Sequence, residues 1–395
     1  MKPLKLVSIV GARPQFVKLG PISRAIDAHN CDPFVGVGIE HSVVHTGQHY
    51  DPRLSDAFFR DIDLPTPQVN LEIGSGSHGR QTGRMMEALE QFFMTQQPDI
   101  VLVYGDTNST LAAALAAIKL HLRVAHVEAG LRSYQKHMPE EINRILTDHV
   151  SSVLFCPTRQ AVDNLEAEGL APHDEGHALL PLDAAESRRT CSADQPLILN
   201  VGDVMYDVYH VLAAQADEQS AILESLHARR GDYALVTVHR AENTDDPGRL
   251  RGILEGLSAL AATGLRLIFP VHPRTRKVLS RLETSAKNAG LEMIEPVGYL
   301  DMLALERNAA LILTDSGGVQ KEAFFSRVPC LTLREETEWV ELVESGWNVL
   351  VGADPACIAD GGQRSLGLDC SSQPSLLYGD GRAAERIVHT LAQLS

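Results

Sequence analysis

Three stretches decide how this chain is read: Val103-Tyr-Gly-Asp-Thr-Asn108, Val124-Ala-His-Val-Glu-Ala-Gly-Leu-Arg132 and Met138-Pro-Glu-Glu-Ile-Asn-Arg144. They place the carboxylates of Asp106, Glu128 and Glu140 where apolar runs end and loops or helices begin. In an open α/β sheet, ligands bind at the carboxyl ends of the strands. Acids gathered there, with Arg132 and Arg144 close in sequence, point to proton transfer on a bound substrate. Glu140 and Arg144 are spaced i, i+4 on a helix that opens at Pro139, a favoured first position. Ile142, Ile145, Leu146 and His149 predict that this helix is amphipathic and docked.

Working outward, short apolar runs alternate with helical patterns along the chain, the signature of parallel α/β architecture. In the first half, strands are expected over 4–10, 42–46, 100–104, 124–127 and 153–156, with helices over 21–29, 81–95, 109–120 and 139–151. The second half repeats the rhythm with strands over 234–238, 265–270, 293–294, 310–314 and 330–333. Its expected helices are 248–263, 274–289, 299–308 and 318–326. Residues 171–200 lose periodicity and gain Pro, Asp, Ser and charge, as a linker or surface excursion does. An N-terminal Rossmann-like domain over 1–180, a C-terminal one over 200–379 and a final helix over 380–395 are therefore expected.

The halves are loosely parallel. Each opens with a strand ending in a polar, basic loop, Val10-Gly-Ala-Arg-Pro14 and Val238-His-Arg-Ala-Glu-Asn243. Each later leads a strand into an acidic loop, Tyr104-Gly-Asp-Thr107 and Thr314-Asp-Ser-Gly-Gly318. That parallel predicts two Rossmann-like domains facing one another across a cleft.

At 395 residues the chain exceeds one ordinary core, and 44% hydrophobic with 22% charged residues is a globular composition. A net charge of −16 argues against nucleic acid as the main partner, because phosphate binding needs a basic surface. It leaves room for an anionic small ligand in a locally basic pocket. The six cysteines show no CxxC and no ligand-like spacing with His, so buried thiols in a reducing cytosol are expected. The opening Met-Lys-Pro-Leu-Lys-Leu-Val reads as a first strand and not as a leader peptide. Nothing approaches the ~20 apolar residues of a membrane span. A cytoplasmic protein with no membrane partner is expected.

Asp315-Ser-Gly-Gly-Val-Gln-Lys-Glu322 follows an apolar run and leads into a helix. Its glycines let backbone N–H groups approach an anion, and the helix N-terminus adds positive potential. Ser316 can donate to a phosphate, and Glu322 can accept from a ribose hydroxyl. Arg13 and Lys18 flank the start of a helix, while His239, Arg240, His272 and Arg274 follow strands of the second half. Basic groups at strand ends suit a nucleoside diphosphate. Gly74-Ser-Gly-Ser-His-Gly79 fits a dinucleotide fingerprint, but it follows a short, polar-interrupted run outside the first βα unit. It reads as a loop capping a helix, and no NAD is expected. Asp61-Ile-Asp63 has no further ligand at metal spacing, so no metal is expected.

Across nearly its whole length the chain resembles the non-hydrolysing UDP-N-acetylglucosamine 2-epimerases. The resemblance rests on Gly11-Ala-Arg-Pro14 with Lys18, Gly105-Asp-Thr107, His126-Val-Glu-Ala-Gly-Leu-Arg132 and Pro139-Glu-Glu-Ile-Asn-Arg144. It continues through Val201-Gly-Asp-Val-Met205, His239-Arg-Ala-Glu-Asn243 and Asp315-Ser-Gly-Gly318 with Glu322. This implies a glycosyltransferase-B-like pair of Rossmann domains with a UDP-sugar between them, usually as a homodimer, and a C-terminal helix returning to the first domain. The family's catalytic acids fall on Asp106, Glu128 and Glu140, and its other active-site positions on Lys18, Arg144 and His239. Its phosphate and uridine contacts fall on Arg13, Ser316, Gly317, Gly318 and Glu322, with His272 a further candidate binding residue. The implied route eliminates UDP to give a 2-acetamidoglucal, then adds it back with the C2 proton on the opposite face. No cofactor is required. Arg144 is expected to orient Glu140.

Some features depart from the simplest family pattern: Thr337-Glu-Trp-Val-Glu341, Gln15, and His49-Tyr50-Asp51. They resemble the branch acting on UDP-2,3-diacetamido-2,3-dideoxyglucuronate, where the reaction is the same on a different sugar. A glycosyltransferase of the same architecture, a hydrolysing relative and a non-catalytic sugar-nucleotide sensor are the competing classes.

Overall fold

The computed structural model describes residues 2–32, 36–48, 66–170, 177–182, 191–271, 273–279, 290–366, 368 and 376–394, except the side chains of residues 13, 273 and 274. It divides into two compact units, Met1–Val208 with Leu376–Ser395, and Tyr209–Ser375.

The first unit is built on a parallel sheet of seven strands: β1 Leu4–Val10, β2 Ile39–His45, β3 Val69–Asn70, β4 Ile100–Tyr104, β5 Arg123–Val127, β6 Val153–Cys156 and β7 Leu197–Asn200. Their spatial order is β3-β2-β1-β4-β5-β6-β7, the doubly wound Rossmann arrangement extended by one strand. Every residue of β4 and β6 is buried, as a sheet covered by helices on both faces requires. The helix Asn108–Lys119 lies close over it because Ala112, Ala113, Ala114, Ala116 and Ala117 carry little bulk. Strand β7 falls inside the stretch that sequence alone marks as an excursion.

Pro21 looks like a helix start in sequence, yet the first helix runs Arg13–Cys31 straight through it. Pro14 takes the favoured early position instead. The last helix, Ala383–Gln393, packs Ala384, Ile387, Val388 and Leu391 into the same core as Phe16, Leu19 and Ile22. Its first turn is anchored by Asp207, whose carboxylate accepts from the backbone N–H groups of Ala383 and Ala384 at 3.1 and 2.7 Å.

The second unit repeats the plan with β8 Tyr233–Thr237, β9 Arg266–Pro270, β10 Leu291–Ile294, β11 Leu311–Thr314, β12 Cys330–Thr332 and β13 Asn348–Leu350. The order β10-β9-β8-β11-β12-β13 is again doubly wound and parallel. Each unit is thus Rossmann-like, and the chain is α/β throughout. In this unit Glu306, on the helix Tyr299–Asn308, is fully buried, and among the described residues neither carboxyl oxygen has a hydrogen-bond donor. The Glu322 carboxyl is its charged neighbour, and like charge there opposes ionisation of Glu306. Burial first, then the charge of Glu322, pushes Glu306 well above the usual carboxylate range.

Two predictions follow from this packing. The native state holds a proton on Glu306 that the unfolded chain gives up above its ordinary value of about 4.3. The native state therefore binds more protons, and the penalty grows as pH rises toward the raised value. Glu306→Gln should raise Tm relative to the parent, and by more at pH 8 than at pH 5. An equal change at both pH values would mean an ionised native Glu306. At Gly130, φ is +78° and an added Cβ would fall on the carbonyl oxygen of Ala161. Gly130→Ala should cost about 2–4 kcal/mol in denaturant titration, from left-handed backbone plus overpacking.

Candidate active site

In the first unit, register brings the acids together. Tyr104 and Val127 are partners at the ends of β4 and β5, so Asp106 and Glu128 leave the sheet side by side. Gly105 turns the chain at φ +60°. A Cβ there would sit 3.2 Å from Glu128 Oε2 and 3.6 Å from Lys18 Nζ, so glycine leaves the acids room. Glu128 itself adopts φ +72°, rare for a residue with a side chain. The backbone N–H groups of Glu128 and Ala129 both donate to the carbonyl of Phe155 at 3.1 Å, and hold that conformation.

The first helix brings Lys18 up to Glu128 as an ion pair at 2.5 Å, with both side chains nearly closed to solvent. Arg144 Nη1 pairs with Asp106 Oδ2 at 2.5 Å, and Asn143 donates to the Asp106 carbonyl at 2.9 Å. About a third (35%) of the Asp106 side chain remains accessible. Its surroundings are nonetheless mostly protein, and desolvation raises its carboxyl above the usual range. Arg144 and Lys18 pull it down, while the charges of Glu128 and Glu140 push it further up. Five of the expected active-site residues thus share one electrostatic neighbourhood.

The expected partnership of Arg144 with Glu140 is corrected. Arg144 bonds Glu141 through Nε and Nη2 at 3.1 and 2.8 Å, and Glu140 is exposed. Glu141 also accepts from the backbone N–H groups of Ser133 and Tyr134 at 3.0 and 2.8 Å, which holds its carboxyl below the usual range despite burial. The expected docking face of the Pro139–Val150 helix is corrected with it. Ile142 and Leu146 are 44% and 43% exposed, and the buried residues are Glu141, Asn143, Arg144, Thr147 and Asp148. Glu141, Asn143, Arg144 and Asp148 face inward because each meets a partner there; Glu141 meets two backbone donors and a guanidinium. Sequence spacing gives no signal that selects Glu141 over Glu140.

In the second unit, Thr237 and Thr314 are partners at the ends of β8 and β11, so His239 and Asp315 emerge together. Asp315 is fully buried and accepts from the backbone N–H of His239 and Arg240 at 3.1 and 3.0 Å, and from Asn243 Nδ2 at 3.1 Å. It shapes the loop, leaving the His239 ring partly open to solvent. Ser316 caps the helix Gly317–Phe325, with its hydroxyl 3.5 Å from the Val319 N–H. A Cβ on Gly317 would fall on the Glu338 carboxylate, so a side chain there would push that carboxylate aside. Trp339 Nε1 donates to the Gly317 carbonyl at 2.9 Å, and Lys321 lies over the Trp339 ring at 4.1 Å. The Thr337–Glu341 departure noted in the sequence thus braces the glycine turn. Tyr299 donates to Glu322 at 2.6 Å.

His272, His49-Tyr50-Asp51 and Asp61-Ile-Asp63 lie outside the described residues, as does the side chain of Arg13. Gly74–Gly79 leads from the edge strand β3 into the helix His78–Gln96, with Ser77 at the cap position. Among the described residues, the grouping with metal-ligand spacing is Asp163, Glu166 and His177. The His177 imidazole lies 2.9 Å from Asp163 and 3.5 Å from Glu166, an ion-paired arrangement sharing no residue with the acid cluster.

Comparison with known proteins agrees with this geometry. The profile of the family described as UDP-N-acetylglucosamine 2-epimerase matches residues 36–392. A UDP-N-acetylglucosamine 2-epimerase homolog of Methanococcus maripaludis is 47% identical over 99% of this chain and 100% of its own length. The UDP-2,3-diacetamido-2,3-dideoxy-D-glucuronate 2-epimerase of Pseudomonas aeruginosa is 46% identical, again over 99% and 100%. The crystal structure of Methanocaldococcus jannaschii UDP-GlcNAc 2-epimerase in complex with UDP-GlcNAc and UDP superposes with a TM-score of 0.78 at 41% identity, covering 98% of this chain and 99% of that one. By sequence along its length and by fold, this chain belongs to the UDP-N-acetylglucosamine 2-epimerase family.

Proposed function

We propose that this protein epimerises C2 of a UDP-N-acetylhexosamine, converting UDP-GlcNAc to UDP-ManNAc without net hydrolysis. The observation that carries this reading is the cluster of Asp106, Glu128 and Glu140 with Lys18 and Arg144 at the ends of β4 and β5. The C2 hydrogen of a hexosamine is not acidic at rest. Breaking the C1–O bond to the diphosphate creates an oxocarbenium-like centre, and the C2 proton can then leave to give 2-acetamidoglucal and UDP. Re-addition of UDP at C1, with proton return to the other face of C2, completes the inversion. This needs a base on one face and an acid on the other. Environments that separate two carboxyls suit that division. Asp106, pushed toward holding a proton, suits the acid role, and Glu128 beside Lys18 suits the carboxylate role. Glu140 completes the set, and Arg144 positions Asp106.

The departing diphosphate calls for cations and oriented N–H groups. Ser316, Gly317 and Gly318 at a helix N-terminus, with Arg13, His239 and His272, are the candidates, and Glu322 suits a ribose hydroxyl. A second reading, the same inversion on UDP-2,3-diacetamido-2,3-dideoxyglucuronate, is favoured by the 46% identity to that epimerase. No described helix is long and apolar enough to cross a membrane, which suits a cytoplasmic supplier of a polysaccharide precursor. Exposed Ile142 and Leu146 suit a homodimer contact, which sedimentation would read.

Incubation in D2O with each UDP-sugar should place deuterium at C2 of one of them, while a glycosyltransferase would place none. Asp106→Asn should keep UDP affinity within about threefold and lose turnover by roughly 10²–10⁴-fold. Unchanged turnover would remove Asp106 from the mechanism.

A further inference from the structure

Behind the acid cluster lies a buried charged group that the reaction itself does not call for. His126, the fourth residue of β5, is fully enclosed. Its Nδ1 meets Asp148 Oδ1 at 2.7 Å, and its Nε2 meets the Gly105 carbonyl at 2.8 Å. A carbonyl oxygen can only accept, so Nε2 carries a hydrogen. Asp148 is a carboxylate: burial pushes its carboxyl up, but His126 and Arg132 against it hold it below the usual range, and its other oxygen accepts from the Gly130 N–H at 3.1 Å and from Arg132 Nη1 at 2.7 Å. Nδ1 therefore donates as well, and the ring is an imidazolium. Arg132 is closed off in turn by a two-bond pair with Glu168 at 2.7 and 2.8 Å, so two cations and two anions balance.

The Nε2 bond lands on the one residue that turns the chain between β4 and Asp106. It competes with no other described donor for the Gly105 carbonyl in that left-handed turn. Glu128 follows that strand directly, two residues beyond His126. One ring thus ties the Asp106 turn to the base of Glu128.

We propose that His126 is a positioning residue, a buried imidazolium clamped between Asp148 and the Gly105 carbonyl that sets Asp106 relative to Glu128. The proposal rests on the epimerase reading for its effect on turnover, but its hydrogen-bond content stands apart from that reading. A misplacement of about 1 Å in such a site costs about 10²-fold in rate. His126→Leu, which offers no donor, should lower kcat about 100-fold with KM and UDP affinity within about threefold. His126→Gln keeps an amide donor that can reach the Gly105 carbonyl and should recover at least about a tenth of the parent kcat. Equal losses in the two variants, or a loss confined to KM, would overturn the positioning role. In wild-type protein labelled with 15N-histidine, His126 should show both ring N–H protons at neutral pH, and a single ring N–H would overturn the clamp even if His126→Leu fails to fold. Wild-type protein inactive on both UDP-sugars would count against the epimerase reading alone, because the NMR signature decides the clamp independently.

Discussion

The chemistry depends on a pairing of backbones. Tyr104 and Val127 stand opposite one another at the ends of adjacent parallel strands, and that register delivers Asp106 and Glu128 to one place. A slip of one residue would turn alternate side chains to the other face of the sheet. The slip is resisted by the buried apolar residues of β4 and by Val124, Ala125 and Val127 of β5, which would lose their places in the core. The second unit uses the same device, with Thr237 opposite Thr314 setting His239 beside Asp315.

Once the strands have placed the acids, polar side chains do the finer positioning. Arg144 is shared between Asp106 and Glu141, so its charge is directed as well as present. Asp315 spends its carboxylate on two backbone N–H groups and an amide, which makes it a builder of loop shape. Gly105, Gly130 and Gly317 each occupy a point where a methyl group would meet a functional or backbone atom. Buried polar networks of this kind are costly when incomplete. The partners that Glu141, Asn143, Arg144 and Asp148 find explain why an inward-facing polar helix can sit over the sheet.

Much of this was legible in the amino-acid order. The runs forming β1, β4, β5 and β11 are short, mostly apolar and followed by glycine or polar residues, which marks both the strand and its functional end. Asp106, Glu128, Glu140 and Lys18 could be proposed from that position alone or with the family resemblance. Three things could not. Strand β7 follows a polar, proline-containing stretch, and four residues are too few for a clear period. The helix through Pro21 is kept by packing of Phe16, Leu19, Ile22 and Ile26, which overrides a local breaker. The inward face of the Pro139–Val150 helix defies the apolar rule because its carboxylates and guanidinium find partners from other elements.

The helix Ala383–Gln393 belongs to the first unit, although the whole second unit intervenes in the chain. On the ribosome, the amino-terminal sheet therefore waits for residues made after Tyr209–Ser375 before Phe16, Leu19 and Ile22 gain their last cover. The second unit is continuous and can close first, against the usual order of synthesis. Until then the nascent first unit shows an apolar face to chaperones, and Asp207 waits beside it for the two amides that will seal it.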